Sequence, residues 1–335
     1  GVSDALWGST VATTTSDNDG DFSQASLSLG YHSVTYSKSG YLGLTLTELL
    51  ETDGETLDLE TVRLLPDNCT SGTMSGTITN AVTGDNMSGV YMWYANGLDK
   101  KWRGHNRGYS FFSYIGNGAW SLFKNAGWYT ILSYKSGYYY AYQNVFACGN
   151  QPDQNNSMSE ILNPGEMRII LKWPKTNPVT GEDLDSHLQI PDNASSTFHV
   201  YYPNPQHQTF YYATNTYTCG SCSSDQLSDN VTLDKDHKAD SIPPSPPGDE
   251  TITISKVRSG TYSFSVHNAS DSSANYNTNL AQSRAKVKVF YNKEGTLVRK
   301  RFNVPNDNGT LWRVFTFDSS GSGSGFTRVD NMTYE

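Results

Sequence analysis

Residues Gly30–Tyr41 read GYHSVTYSKSGY, and the same frame returns at Gly127–Tyr138 as GWYTILSYKSGY. Both stretches place glycine and an aromatic first, then an alternating run, then Lys-Ser-Gly-Tyr. Alternation of β-branched and aromatic residues with polar ones predicts a half-buried strand. The glycine ahead of each closing tyrosine suits a turn that needs positive φ. A spacing of about a hundred residues is a repeated domain, too long for a solenoid unit.

Working outward, the chain of 335 residues has room for two or three domains. Hydrophobic content is modest, tyrosine is abundant, and Gly, Ser, Thr and Asn are plentiful. That balance favours many short strands joined by polar turns over helix bundles, and so an all-β protein. No segment reads as an amphipathic helix; Ser157–Leu162 is at most one turn of helix. The net charge of −9 disfavours an electrostatic grip on nucleic acid or anionic lipid. No apolar run approaches the roughly 20 residues of a membrane span. The chain starts at Gly1 without a basic-plus-apolar leader, so any export signal is expected to have been removed already or to lie outside this sequence.

Four cysteines are present. Cys69 and Cys148 bracket the second domain near its first and last strands, and a disulfide between them fits an oxidising compartment. Two unrelated thiols are the alternative. Cys219 and Cys222, in Cys-Gly-Ser-Cys, read first as a small loop disulfide. A redox pair normally opens a helix in a βαβ setting, and zinc needs two more ligands, for which His207 and His237 lack recognisable spacing. Sequons for N-glycosylation stand at Asn68, Asn86, Asn155, Asn193, Asn230, Asn268, Asn308 and Asn331. Each alone is a weak signal, but together they fit an extracellular or cell-surface location with covalent glycans.

Within residues 1–65 the order is Gly1-Val2, a Thr-rich stretch at Thr13–Thr15, Asp19-Gly20, and Gly30-Tyr31. This pattern resembles the carboxypeptidase-regulatory-like (transthyretin/CnaB-like) β-sandwich, and residues 66–163 resemble a complete copy of it, opening with SGTITNAVTGDNMSGVYMWY at Ser75–Tyr94. The run Asp17, Asn18, Asp19, Gly20, Asp21 is half a calcium loop. It lacks the later bidentate glutamate, so a plain hairpin turn is the better reading. In the second copy Trp93, Trp102, Trp120 and Trp128, with Tyr138, Tyr139 and Tyr140, are candidates for a sugar-stacking face. The plainer reading puts alternate ones in the core and leaves the rest as decoration.

Aligning the copies sets Gly1-Val2 on Gly89-Val90, so the first has no equivalent of Gly76–Ser88. An open sandwich leaves backbone unpaired and invites another strand. At the far end, a Ser/Gly linker (Ser319–Gly325) precedes FTRVDNMTYE, residues 326–335. There Asp330-Asn331-Met332-Thr333 matches Asp85-Asn86-Met87-Ser88, and Glu335 stands where Ser88 precedes Gly89-Val90. Residues 326–335, with Phe326, Val329, Asp330, Asn331, Met332 and Thr333, therefore read as a donor-type strand for the first copy. Donation to a neighbour builds a head-to-tail fibre of copies of this chain. Self-closure, or a repeat array cut at its boundary, accounts for the same match.

Residues 164–318 carry GEMRIILKWP, GEDLDSHLQIPD, FHVYY, LDKDHKADSIPPSPPGDETITI, GTYSFSVHNAS, AKVKVFY and LWRVFTF. This order resembles the YfaP-type family of secreted β-domains, which implies a sandwich and no established catalysis. That family's acidic motifs fall on Asp183, Asp185, Asp234, Asp236 and Glu250, with His187 and His199 nearby. Alternation puts Asp183, Asp185 and His187 on one strand face. Clustered carboxylates repel unless a cation neutralises them or their protons stay on. The expectation is a structural calcium site of Asp183, Asp185, Asp234 and Asp236, with zinc second, against the plain alternative of solvated acids at strand ends. The Pro-rich insert Ile242–Gly248 puts Glu250 in doubt.

The sequence has no His-Glu-x-x-His, nucleophile elbow or phosphate loop, so no enzyme is expected. With the resemblances, the expectation is an all-β chain of three tandem β-sandwich (Ig/transthyretin-like) domains with a C-terminal donor-type strand. Its expected role is an extracellular fibre subunit polymerising by strand complementation, and the alternative is a surface adhesin or carbohydrate-binding module using the second copy's aromatics.

Overall fold

The computed structural model describes residues 2–6, 9–18, 20–50, 59, 62–100, 108–173, 183–191, 197–202, 209–211, 230–237, 248–270, 278–321 and 324–334. Trp102, Asn193, Cys219 and Cys222 lie outside them. The fold is all-β, in two compact units: Gly1–Ile78 with Asn86–Met158, and Thr79–Asp85 with Ser159–Glu335.

In the first unit, strands β1 (Val2–Leu6), β2 (Ser9–Thr14), β3 (Gly30–Tyr36) and β4 (Leu44–Leu50) make one antiparallel sheet, order β2-β1-β3-β4. The second copy supplies β5 (Gly72–Asn80), β6 (Val90–Asn96), β7 (Ser110–Ile115), β8 (Ala119–Lys124), β9 (Gly127–Tyr134), β10 (Ala141–Ala147) and β11 (Asn156–Met158). These form two sheets, β10-β9-β6-β7 and β11-β5-β8. The segment expected to be at most a helical turn, Ser157–Leu162, begins inside β11 instead. Read from the other end, the larger sheet is β7-β6-β9-β10, the same arrangement as β2-β1-β3-β4.

The quoted stretches are the equivalent strands β3 and β9, and their closing turns match in detail. Gly40 and Gly137 take φ of +80° and +83°. Tyr41 N–H donates to the Lys38 carbonyl at 3.1 Å, and Tyr138 N–H to that of Lys135 at 3.2 Å. Each lysine ammonium then lies over its tyrosine ring, at 5.3 and 5.4 Å from the centroid. Lys-Ser-Gly-Tyr is therefore a tight turn in which glycine permits the backbone and the cation covers the aromatic face. The strands differ in burial. In β3, His32, Val34 and Tyr36 alternate inward as expected, whereas β9 is buried on both faces from Tyr129 to Ser133. Tyr129 and Ile131 enter the sandwich core, while Leu132 packs outward with Ala95 and Tyr109.

The sandwich partner sheet β11-β5-β8 has no counterpart among the described residues of the first copy, which lacks more than the one strand inferred from the alignment. Residues 15–29, where a β8 equivalent would fall, carry no strand among those described. Asp19 lies outside the described residues; beside it Asp21 N–H donates to Asp17 Oδ1 at 2.9 Å, and the flanking β2 and β3 do not pair with each other. The apolar face formed by Val34, Tyr36, Leu44 and Leu46 is covered by Leu59, Val62 and Leu64 and by Leu98 and Trp128 of the second copy. Trp128 Nε1 donates to the Arg63 carbonyl at 2.9 Å, which pins that cover in place.

The second unit contains β12 (Met167–Trp173), β13 (Leu184–Pro191), β14 (Thr197–Val200), β15 (Thr209–Tyr211), β16 (Asn230–Lys235), β17 (Gly248–Ile254) and β18 (Thr261–Asn268). A one-turn helix α1 (Asn279–Gln282) leads to β19 (Lys286–Lys293), β20 (Thr296–Asn303), β21 (Leu311–Asp318) and β22 (Phe326–Thr333). A six-stranded sheet, β15-β16-β17-β12-β19-β20, faces a five-stranded one, β14-β13-β18-β21-β22. Their inner faces enclose one core that includes Leu171, Trp173, Leu188, Ile252, Phe264, Trp312 and Phe315.

The place of β22 corrects the expectation for the C-terminal strand. It pairs with β21 of its own chain, Phe326 opposite Phe317 and Thr333 opposite Leu311. Met332 is buried in that core and Phe326 packs against it. Trp312 Nε1 donates to Asp330 Oδ1 at 3.2 Å, while Val329 and Asn331 face outward. β21 and β22 form a hairpin whose described end residues bond to one another. Asp318 Oδ1 accepts from Ser320 N–H at 2.9 Å, and Asp318 N–H donates to the Gly325 carbonyl at 2.8 Å. Phe326 and Met332 are apolar at the positions that close this core, so the strand satisfies its own domain first.

Candidate functional site

At one end of the second unit, Glu250 on β17 shares its side of the strand with Ile252 and Ile254, so its carboxylate enters the space between the sheets. Asp185 comes from β13 in the opposite sheet, and Asp236 directly follows β16. One oxygen of each of the three lies within 4.8 Å of the others. Glu250 is 1% exposed. One of its oxygens, Oε2, accepts from Ser186 N–H at 2.6 Å, while Oε1 is buried with no hydrogen-bond partner. Burial, then the neighbouring Asp183 and Asp236, pushes the Asp185 carboxyl up to about 7. Burial and Asp185 hold Glu250 well above the usual carboxylate range. The nearby Lys235 is engaged by Asp249, at 2.5 Å.

Of the expected ligands, Asp185 and Asp236 come together and Asp183 and Asp234 do not join them. Asp183 acts on Asp185 through its charge. Asp234 accepts a hydrogen bond from the Thr253 hydroxyl. A register shift between Leu233 and Lys235 accompanies this departure. Glu250, placed in doubt by the Pro-rich insert, is the most buried member, because β17 restarts at Gly248 in register with Trp173 of β12. Asp185 also groups with His187 and His267, again with one donor atom of each within 4.8 Å of the others. His187 Nδ1 meets His199 Nε2 at 3.0 Å, and burial beside two other imidazoles pushes His187 down to about 3. His267 was missed by sequence reading, although its position opposite Asp185 follows from the pairing of β13 with β18.

The second copy carries a different surface. On the outer face of β10-β9-β6-β7, Tyr91 packs on Trp93 at 6.2 Å, Tyr114 at 4.8 Å and Tyr134 at 6.5 Å. Trp93 meets Phe111 at 5.8 Å, and Tyr134 stacks on Tyr140 at 5.2 Å. Tyr91, Phe111, Tyr114 and Tyr140 are exposed, so these rings form a continuous aromatic ladder open to solvent. Trp120 and Tyr139 are buried, Tyr138 packs on the sandwich core, and Trp128 serves the first copy's core. Separately, a cleft of about 290 Å³ is lined by Tyr94, Asn96, Phe123, Lys124, Asn125 and Tyr129. Lys124 Nζ sits 2.5 Å from Tyr94 Oη, and this bond lowers the tyrosine's pKa.

Cys69 and Cys148 form the expected disulfide, with sulfurs 2.06 Å apart. Among the sequons, Asn68, Asn86 and Asn331 are exposed, whereas Asn268 is 1% exposed and its side chain cannot carry a glycan in this fold. The alternation of β18 that buries Tyr262, Phe264 and Val266 also buries Asn268.

No protein-family model matches this chain, so the two family resemblances rest on the quoted residues alone. No curated protein matches it. Among solved structures, a streptococcal ancillary pilin aligns over 84% of this chain and 73% of its own, at 10% identity and a TM-score of 0.19. A score that low carries no argument about fold or role. No helix among the described residues is long and apolar enough to cross a membrane.

Proposed function

We propose that this chain is a non-catalytic structural subunit of an extracellular fibre or surface appendage, in which the aromatic ladder of the second copy packs against a different surface of the next copy, since a ladder-to-ladder contact would close a dimer. The observation that supports this reading is the ladder itself. Ring contacts run without a break from Phe111 through Trp93, Tyr91 and Tyr134 to Tyr140, on a sheet face open to solvent. Monomeric proteins seldom keep contiguous apolar patches of this kind, and aromatic residues are enriched at protein interfaces. The Cys69–Cys148 bond agrees with an oxidising compartment. Assembly in this form leaves β22 in its own domain. The test is the double variant Y91S/Y114S, followed by electron microscopy and light scattering. Loss of assembled species with an unchanged monomer fold supports the proposal, and undiminished assembly overturns it.

A second reading, carbohydrate adhesion, is favoured by the cleft beside Phe123, where a lysine, two asparagines and an exposed ring lie together. It predicts glycan-array signal that K124M and F123A abolish while assembly persists.

A further inference from the structure

We infer that Asp185, Asp236 and Glu250 bind one divalent cation of the calcium class, which ties the two sheets of the second unit together at one end. Three carboxylates close together do not by themselves make a site, since exposed acids are common without an ion. The deciding observation is Glu250. It is 1% exposed, its Oε2 is satisfied by Ser186 N–H, and its Oε1 is buried with no hydrogen-bond partner. Burying a polar oxygen without a partner is costly, and burying it beside two further carboxylates more so. A cation removes both costs at once.

The donor set specifies the cation. Oxygens from three separate elements suit calcium, which takes six to eight oxygen ligands in loose geometry and fills remaining positions with water. Asp185 also belongs to the set with His187 and His267, whose nitrogens suit zinc or another transition metal. Each set holds a buried atom without a hydrogen-bond partner, Glu250 Oε1 in the first and His187 Nε2 in the second. The oxygen set is chosen because Glu250 is 1% exposed while His187 is half-buried, and a bare carboxylate oxygen beside two further carboxylates is costlier to bury than a bare imidazole nitrogen. Its members come from both sheets, β13 on one side and β16–β17 on the other, so the ion acts as a clasp across the sandwich.

The experiment uses the full chain, stripped with a chelator and dialysed. Thermal unfolding is followed with about 1 mM calcium, magnesium or zinc, a level suited to extracellular calcium modules. Terbium luminescence sensitised by the chain's aromatics reports binding directly. Calcium is expected to raise the melting temperature of the second unit, and E250Q and D236N are expected to lose that rise and the terbium signal. E250Q keeps the shape of the side chain and an oxygen that can accept from Ser186 N–H, so without metal it should melt no lower than the parent. D236N guards against a folding defect at the more buried position. The inference is overturned if calcium neither shifts melting nor competes with terbium, which would mean that protons alone neutralise the cluster. It is equally overturned if the shift survives in both variants, or if only zinc acts and H187Q/H267Q abolishes that effect.

Discussion

The two copies in the first unit share a four-stranded sheet of one topology and differ in what covers it. The second copy closes its sheet with β11-β5-β8, and the disulfide joins the chain ahead of β5 to the chain after β10. The first copy has neither device among its described residues and borrows Leu98 and Trp128 from its sibling. Equal strand patterns therefore do not make equal domains, since independence depends on owning both layers of a sandwich.

The sharpest way to break that comparison is to remove residues 326–335. If they completed the first copy, the loss would fall on residues 1–65. Because β22 belongs to the second unit, proteolysis and hydrogen exchange should instead show that unit opening, with the first unit unchanged. M332A is the milder version, expected to cost about 2–5 kcal/mol as a buried truncation. Next comes the disulfide: C69S/C148S should lower stability by roughly 2–5 kcal/mol, read as a shifted denaturation midpoint. The third test uses core truncations. I131A, at a fully buried position of the second copy, should cost about 2–5 kcal/mol. L98A should cost less and yet release the first copy's strands to protease, although Leu98 lies outside residues 1–65. Protection of residues 30–50 in L98A would contradict the borrowed cover.

The smallest effect concerns Tyr36. Its hydroxyl is buried without a hydrogen-bond partner, and burial followed by Glu48 pushes its pKa up to about 12. A folded pKa above the unfolded value of 10.0 means that its contribution is complete below pH 10 and is lost as pH rises toward 12. Y36F should be within about 1 kcal/mol of the parent at neutral pH and should remove that part of the alkaline loss.

Local patterns were legible in the sequence, and long-range partners were not. Both Lys-Ser-Gly-Tyr turns, strands β3 and β9, and the Cys69–Cys148 pair could be read because short periodicities and bracketing positions carry them. The two-sided burial of β9 was hidden, because its outer cover comes from distant chain: Tyr109 Oη donates to the Lys100 carbonyl at 2.7 Å, and Lys100 N–H to Thr130 Oγ1 at 3.2 Å. The partner of β22 was misassigned because Asp-Asn-Met-Thr resembles Asp85–Ser88, whereas pairing follows the fit of Phe326 and Met332 to a core that primary structure does not display. At the acid centre the residue types were visible. Which three of the five gathered was not, because a register shift near Asp234 and the restart of β17 at Gly248 decide it.

The borrowed cover sets an order of events during synthesis. Residues 30–50 leave the ribosome well before Leu98 and Trp128 exist to shield them, so the earliest strands made are among the last to settle. A nascent chain halted before residue 128 would present that bare sheet to chaperones, and its release would wait on the completion of its sibling.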